Sequence, residues 1–116
     1  MAVSVTIWHN PRCSKSRATL ALLEERGIAP EVRLYLQDGP SEDELRAALE
    51  VLGLEAREIV RKGEAEFKAA GLGPDSDETA LIAAMAAAPK LIERPIVFAN
   101  GHARIGRPPE AVLGIL

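Results

Sequence analysis

One cysteine stands among 116 residues. Cys13 can close no disulfide within the chain, which suits a reducing compartment, and the cytoplasm is the expected location. Zinc is poorly served too, with one Cys and two widely separated histidines, His9 and His102. Aromatics are scarce, one Trp, one Tyr and two Phe, so Leu, Ile, Val and Ala must build the core. No apolar run approaches the roughly 20 residues of a membrane span. No basic segment followed by a long apolar one opens the chain either, so neither a membrane association nor a signal peptide is expected.

Acid is scarce at both ends. The first acidic residue is Glu24, and residues 94–109 contain none. Residues 1–23 and 88–116 together carry seven Lys/Arg and two Asp/Glu, whereas residues 24–87 carry seven and fifteen. If the two ends pack together, they form a basic field inside a protein of net charge −3. Such a field suits a small anion, and the acidic remainder argues against nucleic acid as a partner.

What is present reads as α/β in one domain, residues 1–116. Val3-Ser4-Val5-Thr6-Ile7-Trp8 is a buried-strand pattern. A helix follows over Ala18–Arg26, capped by Ser14 or Ser16 and closed by Gly27. Glu31-Val32-Arg33-Leu34-Tyr35-Leu36 alternates as a second strand, so the two strands should pair in parallel with a right-handed crossover. A helical stretch occupies about 40–89. It opens on the capping box Ser41–Glu44, continues with short helices over Glu55–Lys62 and Glu64–Ala70, and ends with one introduced by Pro74, Asp75 and Glu78. Ile96–Ala99, Asn100-Gly101 and His102–Ile105 form a hairpin signal, because Asn-Gly supplies the positive-φ residues of a tight turn. A last helix should begin at Pro108-Pro109-Glu110.

The chemistry concentrates in His9-Asn10-Pro11-Arg12-Cys13-Ser14-Lys15-Ser16-Arg17. A thiol between a strand end and a helix start meets unpaired amides and the positive end of the helix dipole, which favour the thiolate. Ser16 occupies the place of the second cysteine in a Cys-x-x-Cys redox motif, so an oxidised Cys13 must be resolved by an external thiol. A phosphatase-type loop is absent, since the sixth residue after Cys13 is Thr19 rather than Arg. Gly71 and Gly73 do not follow a strand and make no dinucleotide loop. Arg94 and Arg107 each precede a proline, which holds their backbones extended and lets a planar guanidinium be aimed at a fixed point. Arg61 is read as the end of a short helix, four residues after Arg57 and on the same face.

The loop around Cys13 resembles the active-site signature of the glutaredoxin-linked arsenate reductases, in their chromosomal branch. The resemblance continues through Leu34-Tyr35-Leu36, Arg61, Glu93-Arg94-Pro95-Ile96-Val97 and Gly106-Arg107-Pro108. It implies a thioredoxin-like fold, β-α-β, a helical insertion, then β-β-α on a mixed sheet, with the peptide before Pro95 cis. It also implies that Cys13 attacks arsenate, that Arg61, Arg94 and Arg107 bind the oxyanion, that His9 lowers the thiol's pKa and that Ser16 hydrogen-bonds the thiolate. No bound cofactor is implied; glutathione is a co-substrate and glutaredoxin the protein partner. Two other functions share the scaffold. One is a glutathione-dependent thiol reductase with another substrate. The other is a thioredoxin-like regulator that binds RNA polymerase, which usually carries the Cys-x-x-Cys switch missing here.

Overall fold

The computed structural model describes residues 5–73, 75–93 and 95–116. The chain divides into two compact units, Met1–Asp38 with Arg94–Leu116, and Gly39–Glu93. The first unit brings both ends of the chain together and carries eight Lys/Arg against five Asp/Glu; the second carries six against twelve. The expected segregation of charge is therefore a property of the fold.

In the first unit, β1 (Val5–Trp8) leads into α1 (Ser14–Glu25) and β2 (Glu31–Arg33), and the hairpin β3 (Ile96–Ala99) and β4 (His102–Ile105) completes the sheet. The strand order is β2-β1-β3-β4, with β1 parallel to β2 and antiparallel to β3. This is the thioredoxin-like arrangement. Alternation along β1 and β3 sends Val5, Ile7, Val97 and Ala99 to one face, where they meet Leu23 of α1 and Val112 and Ile115 near the C-terminus. Each such side chain contributes about 1.5–3 kcal/mol by leaving water. On the other face Trp8 and Phe98 pack with ring centroids 5.1 Å apart, and the Arg33 guanidinium lies 5.6 Å from the Trp8 ring. At the hairpin Asn100 and Gly101 take φ of 55° and 76°, as the turn requires. Asn100 also donates from its amide to the Ile115 carbonyl at 2.8 Å, tying the turn to the chain end.

Two expectations in this unit change and one falls outside the described residues. Residues 3 and 4 of the first strand pattern lie outside the described residues. The second strand stops at Arg33, because the Leu34 carbonyl accepts from the amides of Gln37 and Asp38, both at 2.9 Å, and turns the chain. The last helix, Pro109–Ile115, is a 3-10 helix rather than an α-helix.

The second unit contains α2 (Glu42–Leu52), α3 (Ala56–Ile59), α4 (Ala65–Ala69) and α5 (Glu78–Ala87). The Ser41–Glu44 capping box is present, with both of its hydrogen bonds at 3.1 Å. Buried Leu45, Ala48 and Leu49 of α2 and buried Leu81, Ile82 and Met85 of α5 furnish the apolar faces of this unit. The cap of α5 is Asp77, whose carboxylate accepts from Ala80 N at 2.7 Å, and not Asp75; Pro74 lies outside the described residues. Glu78 instead accepts from Ala56 N at 2.8 Å and so caps α3 from 22 positions away. Among the described residues, no helix is long and apolar enough to cross a membrane.

Candidate functional site

The site starts from Asn10. Its side-chain Oδ1 accepts from Arg12 N and its backbone carbonyl from Cys13 N, both at 3.0 Å. This turn, with Pro11 inside it, brings the chain from β1 to the helix, and α1 begins immediately after Cys13. Cys13 is itself the N-cap residue, extended at φ −94° and ψ 124°, with its carbonyl accepting from Arg17 N at 3.0 Å. Neither Ser14 nor Ser16 caps the helix as expected. The first turn of α1 contains no acid. The thiol therefore stands at the positive end of a 12-residue helix, beside amides that have no intrahelical partner.

Ser16 is fully buried, and its hydroxyl serves the loop. Its Oγ accepts from Asn10 N at 3.0 Å and stands 2.6 Å from His9 Nδ1. His9 is held from its backbone too, by donation to the Arg33 carbonyl at 2.9 Å. Burial first, and the Arg17 charge second, push the imidazole's pKa below its ordinary value. Both favour the neutral form, which adds no positive charge beside the thiol, and the ring's contact in the loop is with Ser16. Arg17 closes the same loop by donating from Nη1 to the Pro11 carbonyl at 2.9 Å.

Arg107 arrives from the end of β4. The Gly106 amide donates to the Pro95 carbonyl at 2.9 Å, the Arg107–Pro108 peptide is cis, and Arg107 Nη2 reaches Cys13 Sγ at 3.8 Å. Gly106 allows this approach. A Cβ built there would stand 2.5 Å from Thr19 Oγ1 and 2.8 Å from Pro95 Cγ, closer than packed atoms come. Thr19 is buried on α1 and donates from the same oxygen to the Lys15 carbonyl at 2.8 Å. The strand end that carries Arg107 is thus seated directly against the helix that carries Cys13.

Of the residues singled out from sequence, the structure brings together Cys13, His9, Ser16 and Arg107. Arg61 belongs to the second unit and lies beyond α3, which ends at Ile59, so it does not share a helical face with Arg57. Its amide donates to the Leu91 carbonyl at 2.7 Å, and its guanidinium lies 3.3 Å from Glu64 and 3.8 Å from Glu93. Arg94, and with it the Arg94–Pro95 peptide, lies outside the described residues. The turn built on Asn10 and the seat of Gly106 on Thr19 are not among the sequence expectations; the glycine before Arg107-Pro108 is the one available signal of a close approach. Among the described residues no group of three or more His, Cys, Asp or Glu could hold a metal ion. The arrangement can stabilise a thiolate and present a guanidinium to an anion bound at it.

Comparison with known proteins gives consistent matches. The model of the ArsC family matches residues 8–115. The "Uncharacterized protein YfgD" of Escherichia coli K12 is 55% identical over 118 residues, covering 100% of this chain and 99% of that one. The "Arsenate reductase" of Neisseria meningitidis serogroup A is 51% identical over 114 residues and 97% of each chain. Among solved structures, "Arsenate reductase from Vibrio cholerae" superposes with a TM-score of 0.96 at 56% identity, covering 100% of both chains.

Proposed function

From the premise that this chain belongs to the ArsC family, we propose that it reduces arsenate to arsenite with Cys13 as the sole nucleophile and glutathione, then glutaredoxin, as reductants. The observation that carries the reading is the Arg107 guanidinium at 3.8 Å from a thiol seated on a helix N-terminus. That pair supplies both a nucleophile and a cation for the oxyanion it attacks.

In the first step the Cys13 sulfur bonds to arsenic and one arsenate oxygen leaves as water, taking the thiol proton and one proton from dihydrogen arsenate. The Arg107 guanidinium stabilises the charge on the remaining oxygens, and the first-turn amides of α1 favour the attacking thiolate. In the second step the glutathione thiol gives its proton to an arsenic-bound oxygen and its sulfur bonds to the Cys13 sulfur while the sulfur–arsenic bond breaks. Its electron pair stays on arsenic, which passes from the +5 to the +3 state as two thiol sulfurs become one disulfide. Glutaredoxin then takes the glutathionyl group and returns Cys13 as a thiol. The family resemblance assigns further oxyanion contacts to Arg61 and Arg94, and both belong to the proposal on that ground.

A coupled assay tests the reading: arsenate, glutathione, glutaredoxin, glutathione reductase and NADPH, followed at the NADPH absorbance. Arsenate-dependent oxidation by the protein, abolished in Cys13→Ser, is the expected result. Equal rates for the two proteins would end it.

A further inference from the structure

A cavity of about 290 Å³ opens beside the active loop, lined by His9, Asn10, Pro11, Arg12, Leu34, Leu36 and Gln37. We propose that this groove, on the β2 side of Cys13, binds the reducing thiol peptide. The inference rests on the arsenate reductase reading and names where its second substrate sits.

Geometry carries it. Displacement at sulfur is in line, so the attacking thiol must approach Cys13 Sγ from the side opposite the departing arsenic. Arg107 marks the side of the oxyanion. It follows β4, and the strand order β2-β1-β3-β4 puts β2 and β4 on opposite sides of β1. The groove is walled by the continuation of β1, His9 to Arg12, and by the segment after β2, Leu34 to Gln37. Cys13 is the next residue along the first wall. The groove therefore ends one residue before Cys13, on the side of β1 away from β4 and from the Arg107 that follows it.

Chemistry names the occupant. The groove contains one exposed cation, Arg12, and no acid, and it adds the apolar surface of Pro11, Leu34 and Leu36 together with the Gln37 amide. Leu36 is 42% exposed, so its side chain is open to a ligand. The glutathione class of molecule, a small peptide thiol with two carboxylates and a short apolar body, offers the complement. The volume lies just below the roughly 300–1,000 Å³ of small-ligand pockets, which suits a small peptide better than a protein surface.

The probe is S-methylglutathione, which cannot react, titrated into 15N-labelled Cys13→Ser protein. The expected result is shifts of the Leu34, Leu36 and Gln37 amides that Leu36→Glu weakens. In the turnover assay Leu36→Glu should raise KM for glutathione by about two- to fivefold, the size of an exposed like-charge contact, and leave KM for arsenate unchanged. Gln37→Glu, a second exposed position, should act in the same direction. Shifts centred on Ile105 and Gly106, or an unchanged glutathione KM in both variants, would overturn the groove. The two readings fail separately. Groove shifts without arsenate turnover remove the reductase reading and keep the peptide site; arsenate turnover without groove shifts removes the site alone.

Discussion

Arg107 and Cys13 lie 94 positions apart in the chain, and the Arg107 Nη2 stands 3.8 Å from the Cys13 sulfur. A cation at that distance favours the thiolate before any substrate arrives and an oxyanion once one has arrived. Replacing Arg107 by Ala should raise the apparent pKa of Cys13, read from the rate of alkylation against pH, and lower kcat/KM for arsenate by about ten- to a hundredfold. Arg107→Lys keeps the charge but loses the planar fork, so it should restore the alkylation profile more fully than the turnover. Because Arg107 is exposed, the difference in the alkylation profile should shrink as salt is added. A profile identical to wild type at low salt would separate Arg107 from the thiol.

Gly106→Ala should destabilise the protein by about 1–3 kcal/mol in urea unfolding, because the new methyl group enters the contact with Thr19 Oγ1 and Pro95 Cγ. Thr19→Ala in the same chain removes the nearer obstacle and should recover part of the loss, a non-additivity that two independent sites would not show. An undiminished urea midpoint for Gly106→Ala would mean that the strand end moves freely, which conflicts with its seat on α1.

His9 makes stability depend on pH in one direction. In the unfolded chain the imidazole takes its proton near 6.5, and in the folded chain only at lower pH. Below 6.5 the unfolded state holds more protons, so stability falls as pH drops through the unfolded value towards the folded one, and it is insensitive to this group above that range. Urea unfolding measured from neutral to mildly acid pH should lose that slope in His9→Asn. A slope of the same size in the variant would assign the effect to other groups.

Ser16→Ala leaves the buried Asn10 amide without its acceptor and His9 Nδ1 without its neighbour. The expected loss is about 1–3 kcal/mol of stability, and alkylation of Cys13 should lose part of its low-pH component as the loop loosens. Ser16→Ala as stable as wild type in urea would show that the loop is held elsewhere.

Legibility in the sequence followed the range of each interaction. The Ser41 capping box, the Asn100-Gly101 turn and the stop at Gly27 rest on neighbours within a few residues and read directly. The α5 cap falls at Asp77, two residues after the expected Asp75, because Asp75, Asp77 and Glu78 all offer carboxylates. Glu78 turned out to be engaged with Ala56 N, a contact 22 positions away that no local pattern contains. The second strand is shorter than its pattern because Leu34, Tyr35 and Leu36 keep the alternation of a strand while the backbone turns, with Tyr35 fully buried. At the site, the thiol and its strand–helix setting were legible because they are contiguous. The closeness of Arg107 followed only from resemblance, and the close packing of Gly106 on Thr19 was not readable, since both are products of the sheet order.

Burial of Ser16, where a dithiol enzyme would keep its second sulfur, has a thermodynamic consequence. A protein with two vicinal cysteines owns a redox couple, and its midpoint potential is a property of the chain alone. This chain owns none. As a disulfide its oxidised form exists only with a sulfur contributed from outside, so the balance between its two states depends on the concentration and identity of that thiol as well as on the potential. Its oxidation state is then a reading of the surrounding thiol pool, and under a failing supply Cys13 would remain blocked as a mixed disulfide until another thiol released it.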